Sequence, residues 1–135
     1  LLTPHAGELA RLLGVERQDV EEDRLHHVQR AVAQTGATVL LKGSTTLVAA
    51  PGAPVRATIT GTPWLATAGS GDVLAGVAGA LQATGMSALD AGSVAAHVHG
   101  LAGRRAALDG PPRARDVAAA IPAVLWGLGL GESAS

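Results

Sequence analysis

The chain contains no cysteine, phenylalanine, tyrosine or asparagine, and Met86 is its only methionine. Without cysteine there is no disulfide and no thiolate metal site, a usage that fits a cytoplasmic setting. Without asparagine there is no acceptor for N-linked sugar. Trp64 and Trp126 are the only aromatics, which removes the stacking platforms that single-stranded nucleic acid requires. A formal charge of −1, scattered as single charges, gives no basic face for a duplex. No apolar run approaches the ~20 residues of a membrane span, and no signal-peptide pattern is present. The Walker spacing Gly-x4-Gly-Lys-Ser/Thr is also absent. Gly127-Leu-Gly-Leu-Gly131 has no strand before it and no helix after it, so it reads as a frayed tail and not a dinucleotide fingerprint. His26 and His27 are adjacent, and His97 and His99 are two apart, so neither pair can share a metal on one helix face.

What is present is 135 residues, 47% of them hydrophobic and mostly Ala, Val and Leu. That is one domain's worth of chain or a piece of a larger one. Small aliphatic residues suit helices packed closely on a sheet, an α/β arrangement. There are no internal repeats and no low-complexity linker. Leu1 stands in mid-pattern, so the expectation is a C-terminal portion of a larger domain, or a trimmed chain.

Leu1 to Glu8 reads as the end of a buried strand breaking into a loop. His5 then lies at a strand's carboxyl end, the usual ligand edge of an α/β sheet, although a loop histidine taken alone is more often structural or merely exposed. Glu8 to Leu13 predicts a short helix with Leu9, Leu12 and Leu13 inward and Gly14 as its stop. Asp19-Val-Glu-Glu22 resembles an acidic capping box. It predicts a helix from Asp19 to about Gln34, with Leu25, Val28 and Val32 on one face and Gly36 ending it. His26 and His27 are expected at its solvated surface. Ala37 to Lys42 predicts a buried strand. Gly43-Ser-Thr-Thr46 follows as a turn, and then a hairpin of Leu47–Ala50 with Val55–Ile59 across Pro51–Pro54. Lys42 at the end of that strand can hold a nucleotide phosphate or ribose, or simply escape to solvent.

The densest signal is Thr67-Ala-Gly-Ser-Gly-Asp-Val-Leu-Ala-Gly76. Small residues run into Asp72, and a helical pattern continues to about Ala83. Free N–H groups of Gly69, Ser70 and Gly71, with the positive end of a helix dipole, make an anion hole. Asp72 adds a carboxylate at its mouth, placed to take a proton from a hydroxyl; the alternative is an Asp that caps the helix after a Gly-rich turn. Beyond it, Ser87 to Asp90 starts a helix running to about Leu108. Pro111-Pro112 closes that helix, and a last one spans about Asp116 to Leu128, bent or restarted near Pro122.

Taken together, Leu2-Thr-Pro-His-Ala-Gly-Glu8, Leu41-Lys-Gly-Ser-Thr-Thr46 and Ala68-Gly-Ser-Gly-Asp-Val-Leu-Ala-Gly76 resemble the ADP/ATP-dependent NAD(P)H-hydrate dehydratase family. His99-Gly-Leu-Ala-Gly103 resembles that family's helix after the anion hole. The resemblance implies a ribokinase-like three-layer sandwich, of which residues 1–135 would be the C-terminal half, with a mostly parallel sheet, a small hairpin and packed helices. It implies that His5 and Asp72 contact the hydrated nicotinamide nucleotide, with Asp72 catalytic. Lys42, Gly43, Ser44, Thr45, Thr46 and Gly71 would bind the adenine nucleotide, ADP or ATP. Mg²⁺ is expected with the phosphates, without a ligand on this chain that can be assigned. The implied reaction is nucleotide-driven dehydration that restores NADH or NADPH. Ala6 stands where the family usually has Pro, and the Ala68-Gly-Ser-Gly loop is closer to the plain kinase form. A small-molecule kinase of the same fold and a non-catalytic nucleotide-binding fragment are therefore the alternatives. A split sheet implies association with the rest of the domain or with further copies of the chain.

Overall fold

Three consecutive apolar residues without polar alternation predict a strand covered on both faces, and β1 (Val39–Leu41) is buried at every position. In the computed structural model, which describes residues 1–129, the two-residue period of this strand separates the layers. Val39 and Leu41 pack with Leu9, Leu13, Val20, Val28 and Ala31. Leu40 faces the other way and, with Val48, packs against Leu74, Ala78, Ala95 and Ala96. The first group comes from α1 (Ala6–Leu13), α2 (Arg17–Glu22) and α3 (Arg24–Thr35); the second comes from α4 (Ser70–Ala83) and α5 (Ala88–Ala106). Helix α6 (Ala114–Gly127) closes the far side, where Val117 and Val124 meet Val98 and Ala102 of α5. Helices, sheet and helices form the expected three-layer α/β sandwich.

The sheet itself differs from the expectation of mostly parallel strands. Its three named strands, β1, β2 (Thr46–Ala49) and β3 (Arg56–Thr58), are antiparallel neighbours in the order β1-β2-β3. The β2–β3 hairpin pairs Thr46 with Thr58 and Val48 with Arg56, as its Pro-Gly-rich turn suggested. Among the described residues, parallel pairing survives only where Leu2 and His5 bridge Val39 and Lys42. Leu2 donates to Thr38 O at 2.9 Å and accepts from Leu40 N at 2.8 Å, and Pro4 O accepts from Lys42 N at 2.9 Å. Thr3, between them, turns its backbone groups to the opposite side.

The single helix expected from Asp19 to Gln34 is two. Asp23 ends α2 and caps α3, with φ −139° and a side chain that accepts from His26 N at 3.0 Å. Asp19 is accordingly not an N-cap but the third residue of α2, its carboxylate accepting from Glu16 N at 3.1 Å. The break rotates the faces: Leu25 is exposed, while His27 is buried with Nδ1 2.7 Å from Asp23 O. Leu12 is also exposed. Helix α4 starts two residues before Asp72, at Ser70, because Gly69 takes the left-handed φ of 82° at its N-cap. Helix α6 runs unbroken through Pro122.

The segment between β3 and α4 gains its shape from α5. Thr60 Oγ1 donates to His97 O at 3.2 Å, and Arg104 Nε donates to Thr60 O at 2.7 Å. Gly100 and Gly103 leave the space that Thr60 and Leu65 fill. A methyl group on Gly103 would come within 2.5 Å of Leu65 Cδ2. Gly103→Ala should therefore cost about 1–3 kcal/mol through overpacking. Gly79→Ala, in the open on α4, should instead stabilise by up to about 1 kcal/mol. Urea denaturation of both variants of the intact protein checks the contrast.

Candidate functional site

Where β1 ends, the chain delivers Lys42 to the N-terminus of α4. A methyl group built on Gly71 would lie 3.1 Å from Lys42 Nζ. An ammonium and the positive end of a 14-residue helix thus meet at one point, and both favour an anion there. Around them is a cavity of about 760 Å³, within the usual size of a small-ligand site. His5, Lys42, Gly43, Ser44, Thr46, Ser70 and Gly71 all line it, together with Thr62, Leu65 and Ala66 of the segment before α4.

His5 is the N-cap of α1. Its Nδ1 accepts from Glu8 N at 3.2 Å while Glu8 Oε2 accepts from His5 N at 2.7 Å, a capping box that uses a ring nitrogen in place of a hydroxyl. Glu8 also faces His5 Nε2 at 3.5 Å and Lys42 Nζ at 3.7 Å, so one carboxylate ties the two candidate ligand contacts together. The His5 backbone N–H holds the Glu8 carboxyl below its ordinary value, with Lys42 and the His5 ring adding to the effect against a partial opposing burial. Glu8 was missed as a site residue. The spacing His5-x-x-Glu8 is the signal that could have found it.

The α4 loop is more committed than three free N–H groups. Ser70 N already donates to Thr67 O at 3.2 Å, and Asp72 N donates to Gly69 O at 3.1 Å. Gly71, by contrast, has no backbone acceptor among the described residues. The Ser70 hydroxyl is buried, with Oγ 3.0 Å from Nε2 of His99 on α5. Burial pushes the His99 imidazole below its ordinary value, with the Ser70 backbone pulling weakly the other way. His99 also lines the cavity. The sequence offered it only as part of the resemblance around residues 99–103.

The remaining expected residues lie outside that wall. Asp72 is in the first turn of α4, exposed. It does not line the cavity, and neither do Gly69 and Thr45. The structure therefore gathers His5 with Lys42, Gly43, Ser44, Thr46 and Gly71 and leaves Asp72 on the outside of the α4 N-terminus. Among the described residues no three His, Asp or Glu side chains gather as metal ligands. The described residues offer no cage for Mg²⁺, and a divalent ion here would depend on phosphate oxygens and water.

A family model described as NAD(P)H-hydrate dehydratase matches residues 1–122, and the chain belongs to that family. It is 48% identical over 112 residues to a bifunctional NAD(P)H-hydrate repair enzyme of Mycobacterium leprae, covering 83% of this chain and 23% of that protein. It is 47% identical over 102 residues to an ADP-dependent (S)-NAD(P)H-hydrate dehydratase of Neisseria meningitidis, covering 76% of this chain and 34% of that protein. The fold matches the ADP/ATP-dependent NAD(P)H-hydrate dehydratase of Bacillus subtilis, crystallised with ATP and Mg²⁺, with a TM-score of 0.87 at 27% identity. That match covers 94% of this chain and 48% of the other. The chain thus spans less than half the length of each of these proteins.

The buried Ser70–His99 contact makes a pH prediction. The unfolded chain accepts a proton near the ordinary histidine value of 6.5, while the native ring resists it. As pH falls through that range the unfolded state binds more protons, so stability is full above it and lost below it. His99→Gln keeps a hydrogen-bonding group but does not titrate. It should flatten the stability loss as pH falls below 6.5, measured as denaturant midpoints against pH.

Proposed function

We propose that the protein carries out ADP- or ATP-dependent dehydration of NAD(P)H-hydrate, restoring the dihydropyridine ring and releasing phosphate. The observation that carries this reading is Lys42 Nζ beside Gly71, 3.1 Å from where a methyl group would stand, at the start of α4. An anion that fits there matches a nucleotide phosphate, and the cavity beside it has room for the rest of the nucleotide.

In this reading Lys42, Gly43, Ser44, Thr45, Thr46 and Gly71 hold the adenine nucleotide, whose phosphates carry Mg²⁺. The hydrated nicotinamide nucleotide runs past His5 to the outer side of the α4 N-terminus, where Asp72 is exposed. Asp72 takes the proton from the ring hydroxyl, and the hydroxyl oxygen attacks the terminal phosphoryl group as its bond to the nucleotide breaks. The Gly71 N–H, free of any backbone acceptor among the described residues, stabilises charge on the transferring group, with Gly69 and Ser70 shaping the turn that presents it. Phosphate then leaves where hydroxide could not, driven by the ring nitrogen's lone pair, and loss of a neighbouring ring proton completes the elimination. The balance is hydrate plus ADP to dinucleotide, AMP, phosphate and a proton.

Residues 1–135 act here as the C-terminal portion of one ribokinase-like domain. The backbone groups of Thr3, turned away from β1, are where further strands would continue the sheet. The setting is cytoplasmic, in keeping with the absence of cysteine; among the described residues no helix is long and apolar enough to cross a membrane.

The test is incubation of the intact protein with hydrated NADH and ADP, following NADH absorbance and released phosphate. Both should rise in equal amounts, whereas a stable phosphorylated product would mean a small-molecule kinase. Asp72→Asn should lower turnover by about 10²–10⁴-fold while leaving ADP affinity within about threefold; retained turnover would remove Asp72 from its role. Lys42→Ala should weaken ADP binding, read by calorimetry, by about tenfold or more, the scale of one charge-assisted contact.

A further inference from the structure

We propose that Arg24 is a positioning residue for the Lys42–Thr46 loop, fixing its shape before any nucleotide arrives. The proposal rests on the nucleotide reading above for the identity of the ligand. Arg24 opens α3, just after the break at Asp23. Its Nη2 donates to Thr45 O at 3.1 Å, to Lys42 O at 3.2 Å and, more weakly, to Leu41 O at 3.5 Å. Glu21, at the end of α2, holds the other arm, with Oε2 3.3 Å from Nη1. The side chain is 21% exposed and lies in the cavity wall with Lys42.

The Lys42 and Thr45 carbonyls belong to the bend between β1 and β2, with Leu41 O closing the strand before it, and bent backbone that faces a cavity needs partners for its carbonyls. A guanidinium presents several N–H groups in a fixed plane and can serve neighbouring carbonyls at once. A lysine ammonium is a point donor on a flexible stem and cannot reproduce that fork. Gly43 supplies an independent observation. A methyl group there would run into the Arg24 guanidinium, so the loop closes over this side chain only because residue 43 has none. Both arms of Arg24 are engaged, on loop carbonyls and on Glu21, so its route to the ligand is through the loop. The helix break at Asp23 thereby turns a cation inward at the place where the loop needs one.

The test is amide hydrogen exchange on the ligand-free intact protein, with ADP calorimetry and steady-state kinetics, for the wild type, Arg24→Lys, Gly43→Ala and Lys42→Ala. Arg24→Lys should accelerate exchange across residues 43–46 by at least about tenfold while α5 and α6 stay within about twofold. It should also raise the ADP Kd and KM about tenfold with kcat nearly unchanged. Gly43→Ala, which displaces the same guanidinium, should accelerate the same loop exchange in the ligand-free protein. Unchanged loop exchange in Arg24→Lys overturns the proposal. So does a uniform loss of protection with lowered kcat and unchanged KM, which would make Arg24 a general structural residue. If Lys42→Ala leaves ADP affinity intact, the nucleotide reading fails by itself. Loop exchange in Arg24→Lys still decides the positioning role, because it is measured without ligand.

Discussion

Burial of β1 on both faces is what aims the site. Val39 and Leu41 are locked into one helical layer and Leu40 into the other, so the strand can neither rotate nor slide without exposing apolar surface on one side. Lys42 follows directly, and its direction is inherited from that register. Leaving the strand one residue earlier or later would turn the ammonium away from Gly71. The pairing of Leu2 and His5 with Val39 and Lys42 extends the constraint, since the same strand positions the N-cap of α1, whose Glu8 in turn faces Lys42. Strand, cap and helix terminus converge because one short segment is over-determined by packing.

The loops around the cavity solve a different problem. They leave regular structure and so leave carbonyls without ladder partners. In both cases a helical arginine supplies them. Arg104 on α5 donates to Thr60 O at 2.7 Å and Ile59 O at 3.2 Å, much as Arg24 serves the opposite wall. Glycine accompanies each clasp, at Gly43 beside Arg24 and at Gly100 and Gly103 beside the 59–66 segment. Backbone polarity is satisfied by side chains from rigid elements, which keeps irregular segments in fixed places without filling the space they enclose.

Local chemistry carried much of this into the sequence. The Gly14 and Gly36 stops, the buried run before Lys42 and the Pro-Gly hairpin each depend on residues within a few positions, and each is where it was expected. The break at Asp23 was not legible, because Asp19-Val-Glu-Glu22 offers its own capping pattern and only the packing of Val20 and Val28 into one cluster decides between the two. His27 followed from the same rotation. Arg24 and His99 were missed as site residues for a common reason: each acts on a segment far away in the chain, at separations no periodicity records; Glu8 was missed although its pairing with His5 is local. The parallel component of the sheet was overestimated, because the Leu1–His5 strip pairs with β1 as isolated bridges while both neighbours joined by short turns run antiparallel.

The close approach of Arg24 to residue 43 has a consequence for descent. Two positions 19 apart in the chain share one volume, so neither is free to drift alone. A side chain gained at 43 pushes the guanidinium at 24 off the loop carbonyls it serves, and a side chain lost at 24 leaves those carbonyls without it. Such a pair would leave its trace as joint variation between a helix start and a loop that no local signature connects.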